Sequence, residues 1–179
     1  MKPSAWHRLD EAARAVSPFA VTVLLALFSV IPQRAPDIAP VMPALVLIAV
    51  YFWSVFRPDL MPFWAIFLVG VVQDLLTGIP LGAGIVPLLL VHGYIGTQRR
   101  FFASATMPML WIVFALVAAV ALALTWVLSC LVLGALVDPT NAALQYLTTI
   151  AAYPCVAWLF AQAQMAFLSE QAPRVGGGR

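Results

Sequence analysis

The run Met107-Pro-Met-Leu-Trp-Ile-Val-Phe-Ala-Leu-Val-Ala-Ala-Val-Ala-Leu-Ala-Leu-Thr-Trp-Val-Leu-Ser-Cys-Leu-Val-Leu-Gly-Ala-Leu136 contains no charged residue from end to end. The hydrocarbon core of a bilayer is ~30 Å thick, and a helix needs about 20 apolar residues to cross it. This run exceeds that length and can cross with tilt. A second long run, Ala142 to Leu168, has Pro154 near its middle, where a kink is predicted, followed by Cys155, Trp158 and Ala161. Two such runs in succession predict a helical hairpin through a membrane.

Four shorter apolar segments precede them. Span 1 ends near Ile31, before Pro32, and from Pro18 it is too short for the hydrocarbon core, so Arg14 is expected to snorkel and lengthen it. Span 2 runs from about Ile38 to Phe56, with Pro40 and Pro43 in its first turns, where proline is tolerated. Arg57-Pro58-Asp59 then leaves room only for a tight reversal. Spans 3 (about Leu60 to Leu76) and 4 (about Leu81 to Gly96) are short and carry glycine or proline at Gly70, Gly84, Pro87 and Gly93. Ahead of these, Ser4 to Val16 sets Trp6, Leu9, Ala13 and Val16 at helical spacing among Arg8, Asp10, Glu11 and Arg14, the pattern of an amphipathic surface helix. The expected organisation is a cytoplasmic amphipathic segment over 1–16, a six-span membrane domain over 17–168 and a disordered tail over 169–179.

Composition agrees. Of 179 residues, 64% are hydrophobic and 9% charged, and the mean hydropathy is +1.01. Soluble domains carry about 25% charged residues, so this surface is expected to face lipid. Six spans of about 20 residues leave too little chain for a separate folded domain. The net charge of +2 gives no reason to expect nucleic acid. With the N-terminus inside, eight of the nine basic residues (Lys2, Arg8, Arg14, Arg57, Arg99, Arg100, Arg174 and Arg179) fall on inner segments and only Arg34 outside. The positive-inside rule then puts both termini in the cytoplasm.

Little in the sequence points to chemistry. No Ser/His/Asp spacing, paired carboxylates or Cys/His metal cluster is present, so no catalytic residue, metal or cofactor is expected. Cys130 and Cys155 lie at different depths and read as small buried apolar side chains rather than a disulfide. His92, within span 4, is expected to hydrogen-bond a neighbouring helix. The small residues Ala115, Ala119 and Ala123, with Ala157 and Ala161, permit close helix packing. The aromatic group Tyr51, Phe52, Trp53 and Phe56 reads as an interfacial anchor.

One segment stands apart: Gly70-Val-Val-Gln-Asp-Leu-Leu-Thr-Gly-Ile-Pro-Leu-Gly-Ala-Gly84. Asp74 is the only acid in a predicted span, and an ionised carboxylate in hydrocarbon needs donors. The nearest are Thr77 and the backbone N–H groups around Gly78 and Gly82. Pro80 between those glycines argues against a straight G-x-x-x-G dimerisation helix. Gly70, Asp74, Thr77, Gly78, Pro80, Gly82 and Gly84 therefore form the candidate site, read either as a docking or ligand site or as a helix end stapled by its own loop.

The run Pro43-Ala-Leu-Val-Leu-Ile-Ala-Val-Tyr-Phe-Trp53 followed by Arg57-Pro58, together with the Q-D-L-L-T-G-x-P-L-G order inside Gly70 to Gly84, resembles the rod shape-determining protein MreD family over roughly residues 37 to 100. The resemblance implies a non-enzymatic inner-membrane component of the bacterial cell-elongation complex. Its partners would be the bitopic protein MreC and, through it, a peptidoglycan glycosyltransferase and transpeptidase pair. It also implies an all-α fold like the six-helix substrate-binding subunit of energy-coupling-factor vitamin transporters, and hence an alternative role in binding a small molecule or lipid for transport. The short outer loop Gln33-Arg34-Ala35-Pro36-Asp37 favours the scaffold, because a vitamin pocket would want more polar groups beneath a longer loop.

Overall fold

The computed structural model describes residues 19–29, 42–98, 102 and 105–169. The expected amphipathic segment Ser4–Val16, the loop with Arg34, the Arg99-Arg100 pair and the tail beyond Ser169 lie outside the described residues. Among those described, the chain is all-helical, with six helices and no strand. They are α1 (Phe19–Ser29), α2 (Leu45–Phe56), α3 (Phe63–Thr77), α4 (Ile85–Thr97), α5 (Met107–Leu133) and α6 (Pro139–Ser169). Two, α5 and α6, are long and apolar enough to cross a membrane; the other four are apolar but shorter.

Where the helix bounds depart from expectation, the backbone explains the difference. Instead of starting at Ile38, α2 starts at Leu45, two residues past Pro43, and Met42 to Ala44 are not helical. The Ala44 N–H is instead satisfied across the bundle by Thr149 Oγ1 at 2.9 Å. A 3-10 turn, Pro58–Leu60, occupies the expected start of span 3, delaying α3 to Phe63. The expected first turn of span 4, residues 81–84, is non-helical because Gly82 has φ +101°. At the far end of the chain, α5 stops at Gly134, whose φ is +64°, and α6 begins on Pro139, an N1 position that suits proline. Pro154 lies inside α6, which stays helical on both sides of it.

The sequence of α2 is apolar all round, and nine of its 12 residues are buried, as expected for a central helix. It packs against α4 and α6, while α3 packs on α4 and α5 packs on both α4 and α6. This overturns the reading of the α2 aromatics as interfacial anchors. Tyr51, Phe52 and Trp53 are core residues, and only Phe56 is exposed. Tyr51 meets Phe114 edge-on at 5.0 Å and Tyr153 at 5.8 Å, and Phe114 stacks on Tyr153 at 4.2 Å. The Tyr51 hydroxyl donates to the Leu110 carbonyl at 3.0 Å, joining α2 to the first turn of α5. Edge-to-face pairs contribute about 0.5–1.5 kcal/mol beyond their burial.

The alanines at spacing four turn α5 toward α6 within the chain. Ala119 and Ala123 line a cleft with Ala142, Ala143 and Tyr146, and the Tyr146 hydroxyl donates to the Ala115 carbonyl at 3.2 Å. The outward faces are strongly apolar. Leu24, Trp64, Leu75, Leu116, Val120, Leu131 and Trp158 are all exposed.

Candidate functional site

Asp74 stands in the last turn of α3 and is fully buried. The chain then reverses through residues 78–84 and brings its own backbone back over the carboxylate. Asp74 Oδ2 accepts from the Gly82 N–H at 2.8 Å and from the Gly84 N–H at 3.3 Å. Both donors sit where the chain is not helical, so they have no helical partner. Thr77 plays no part in this clamp. Its hydroxyl donates to the Gln73 carbonyl at 2.8 Å, and the Gly78 N–H closes on the Asp74 backbone carbonyl at 3.1 Å. The expected donor set is therefore corrected to Gly82 and Gly84, because Thr77 lies on the same helix as Asp74 and its nearest acceptor is one turn back.

The glycines serve two different needs. Gly78 (φ +71°) and Gly82 (φ +101°) hold left-handed backbone that a side chain would strain. At Gly84 the need is space, since a β-carbon there would overlap Asp74 Oδ1. Gly70 is also a close approach, with a β-carbon built on it 3.0 Å from Ile85 Cα. Pro80 accepts the Ala83 N–H at 3.0 Å within the turn. All seven expected residues thus belong to the α3–α4 hairpin, and Gly70, Asp74 and Gly84 are brought against the neighbouring segment.

At the opposite end of α4, His92 Nδ1 lies 2.7 Å from Ser54 Oγ on α2. The Ser54 hydroxyl also lies within hydrogen-bond distance of the Val50 carbonyl one turn back, at 2.6 Å. Phe63 meets the ring edge-on at 4.7 Å. This is the helix-to-helix hydrogen bond expected of His92. Both cysteines are free, and neither is the buried side chain expected: Cys130 is half-buried and Cys155 is exposed on the outward face of α6. Among the described residues no three His, Cys, Asp or Glu side chains lie close enough to share a metal.

The hairpin forms one wall of a cavity of about 760 Å³ at one end of the bundle, within the size range of small-molecule sites. Thr77, Gly78, Ile79, Pro80 and Gly84 line that wall; Ala44, Leu47, Leu88, Ala121 and Leu122 supply an apolar floor. The opposite side carries polar groups that sequence reasoning passed over: Thr125, Trp126 and Ser129 on α5, Asp138, and Asn141 and Gln145 on α6. A usable signal existed. Gln73/Thr77, Thr125/Ser129 and Asn141/Gln145 are each polar pairs four residues apart in apolar helices, a spacing that puts both members on one face. These groups come from helix ends, so the shortness of the loop at Gln33–Asp37 does not deprive the cavity of polar lining.

Asp138, the one charged side chain lining the cavity, is exposed to solvent at its rim. Its carboxylate accepts from the Thr140 N–H at 2.9 Å, and that bond, with one from the Thr140 hydroxyl, holds the carboxyl below its ordinary range. Neither family models, curated proteins nor solved structures match this chain.

Proposed function

We propose that this chain is a multi-pass integral membrane scaffold, non-catalytic, that holds a single-span partner beside its bundle. The observation that carries the membrane part is the exposure of its longest helices. Only 11% of the most apolar stretch of α5 and 17% of that of α6 is buried. A core helix of a soluble protein would hide such a face, whereas an apolar face turned outward is stable in lipid. The short helices fit the same setting. Irregular backbone at membrane depth is tolerated where protein satisfies it, and Asp74 does that for Gly82 and Gly84. All six helices then cross, with both termini cytoplasmic on the eight-to-one distribution of basic residues.

The partner assignment rests on the resemblance to the MreD family. It makes the chain an inner-membrane scaffold for lateral peptidoglycan synthesis, binding an MreC-like bitopic protein and through it the glycosyltransferase and transpeptidase pair, with no role for nucleic acid. A second reading, a small-molecule-binding membrane subunit, has the cavity in its favour. Mild-detergent purification from a rod-shaped bacterium, followed by identification of co-purifying proteins, separates the two. Photo-crosslinkers at exposed Leu75, Leu90, Leu116 and Leu159, on α3, α4, α5 and α6, map the contacted face. The scaffold reading predicts capture of a bitopic protein from one face and loss of rod shape on depletion. No bitopic partner from any face, with cell width unchanged on depletion, sinks it. Impermeant thiol labelling at position 2 or 177 of intact cells, in a cysteine-free background, would overturn the orientation.

A further inference from the structure

The hydroxyls that line the cavity share a chemical bias. Thr77, Thr125 and Ser129 each donate their single hydroxyl proton to a carbonyl one turn back on their own helix, at 2.8, 3.0 and 2.8 Å respectively. A hydroxyl whose proton is engaged presents only oxygen lone pairs to anything beside it. The indole N–H of Trp126 is likewise taken, donating to the Val137 carbonyl at 3.0 Å. Asp138 adds a carboxylate at the rim, and Gln73, on the opposite wall, has a buried Oε1 without a hydrogen-bond partner. The side-chain donors left are the amides of Gln73, Asn141 and Gln145, and among the described residues no lysine, arginine or histidine lines the cavity. The wall is therefore rich in side-chain acceptors above an apolar floor, and its one charged group is the solvent-exposed carboxylate of Asp138 at the rim.

We propose that this cavity is a binding site for a small amphiphile that is cationic or neutral and carries hydrogen-bond donors, an amine or alcohol on an apolar body. It excludes phosphate, carboxylate and other anionic head groups. The amine or hydroxyl sits against Thr125, Ser129 and Asp138, and the apolar body lies over Leu47, Leu88 and Leu122. The Asp138 carboxylate and the hydroxyl lone pairs attract a protonated amine and repel an anion, so charge, not shape, separates ligands of equal size. The site goes beyond the scaffold reading and does not rest on it.

The test uses three probes of closely similar size: phenethylamine (cation), 2-phenylethanol (neutral) and phenylacetate (anion). Each is equilibrated by dialysis with the purified full chain, with empty micelles as the control for partition. Expected is saturable binding of the amine with a Kd of about 1 mM or tighter, comparable or weaker binding of the alcohol, and binding of the anion at least tenfold weaker than the amine. Asp138→Asn should weaken the amine severalfold and leave the alcohol unchanged. Thr125→Val, which keeps the shape and removes the oxygen, should weaken both by threefold or more. Ser129→Leu should occupy the head-group position and weaken both; thermal stability measured alongside shows whether it folds, and the two conservative variants carry the test if it does not. Absence of saturable binding by any probe, tightest binding by the anion, or identical affinities in all three variants overturns the proposal. Partner capture by the Thr125→Val and Asp138→Asn proteins is expected to stay intact, so this site and the scaffold role fail separately.

Discussion

Two reversals of the chain border the same cavity and are held in opposite chemical senses. Between α3 and α4 a side-chain acceptor catches backbone donors, Asp74 taking the N–H groups of Gly82 and Gly84. Between α5 and α6 a side-chain donor catches a backbone acceptor, Trp126 giving its N–H to Val137, whose own N–H points at Cys130 Sγ at 3.4 Å. The first connection exposes Leu81 at its tip and folds its Ala83–Gly84 end inward around a buried carboxylate. The second projects outward, with Leu136 the most exposed large apolar residue among those described. The difference is one of solvent. Irregular backbone inside a bundle has no water to turn to, so every donor must be met by a fixed partner and every β-carbon must fit. A connection at the surface needs only to be steered.

The largest effects should therefore fall on the inward connection. Asp74→Leu leaves the buried Gly84 N–H and the half-buried Gly82 N–H unpaired, and a buried donor left so costs on the order of 1–3 kcal/mol. Asp74→Asn keeps a carbonyl oxygen for at least one of them. The expected order of melting temperature and of membrane level is wild type, then Asn, then Leu. Equal stability of all three would mean that the clamp contributes nothing.

Gly84→Ala comes next, because its β-carbon meets Asp74 Oδ1; overpacking of this kind costs about 1–3 kcal/mol. A double-mutant cycle sharpens the point. The penalty of Gly84→Ala should shrink in an Asp74→Ala background, since the colliding oxygen is gone, whereas that of Gly82→Ala should persist, since its origin is the backbone at φ +101°. Additive behaviour at Gly84 would remove the carboxylate from the explanation.

How much of this contrast the sequence disclosed depends on the kind of signal each residue carries. Asp74 announces itself, because a lone acid in an apolar run must be satisfied, and the following glycines are the obvious backbone to do it. Thr77 misleads, because proximity in sequence places it on the same helix, where its hydroxyl prefers the carbonyl one turn back. Tyr51 and Trp53 also mislead. Aromatics at the end of a predicted span look like interfacial anchors, yet α2 is surrounded by other helices, and which helix is central is a tertiary fact. The helix starts at Leu45 and Ile85 were missed because proline and positive-φ glycine displaced the first turns. The polar wall of the cavity was legible as pairs four apart, but three separate helices had to be brought together before those pairs addressed one space.

On the outward connection, Trp126→Phe keeps the ring and removes the N–H, so the Val137 carbonyl loses its partner. The carbonyl lies near the surface and can find water, so a cost of about 1 kcal/mol or less is expected. It should appear as a modest fall in melting temperature and faster proteolysis between α5 and α6. A loss as large as that of Asp74→Leu would erase the distinction between the two connections.

The smallest effect belongs to Asp138, and its sign follows from the direction of its shift. The Thr140 N–H and hydroxyl stabilise the charged carboxylate, so its folded-state pKa lies below the unfolded value of about 3.8. A group depressed in this way contributes stability that is fully present above the unfolded pKa and is lost as pH falls through the folded pKa. Asparagine caps a helix nearly as well as aspartate, so Asp138→Asn removes the charge and little else. The melting temperatures of the two proteins should then differ by a constant small amount, no more than about 2 °C, from neutral pH down to the ordinary carboxylate range. Only below that range should the two curves converge, as Asp138 takes up its proton. Every other carboxylate is common to both proteins, so the difference isolates this one residue. Convergence that begins at pH 5 or 6 would mean a raised pKa, and would break the assignment of the Thr140 donors to the charged form.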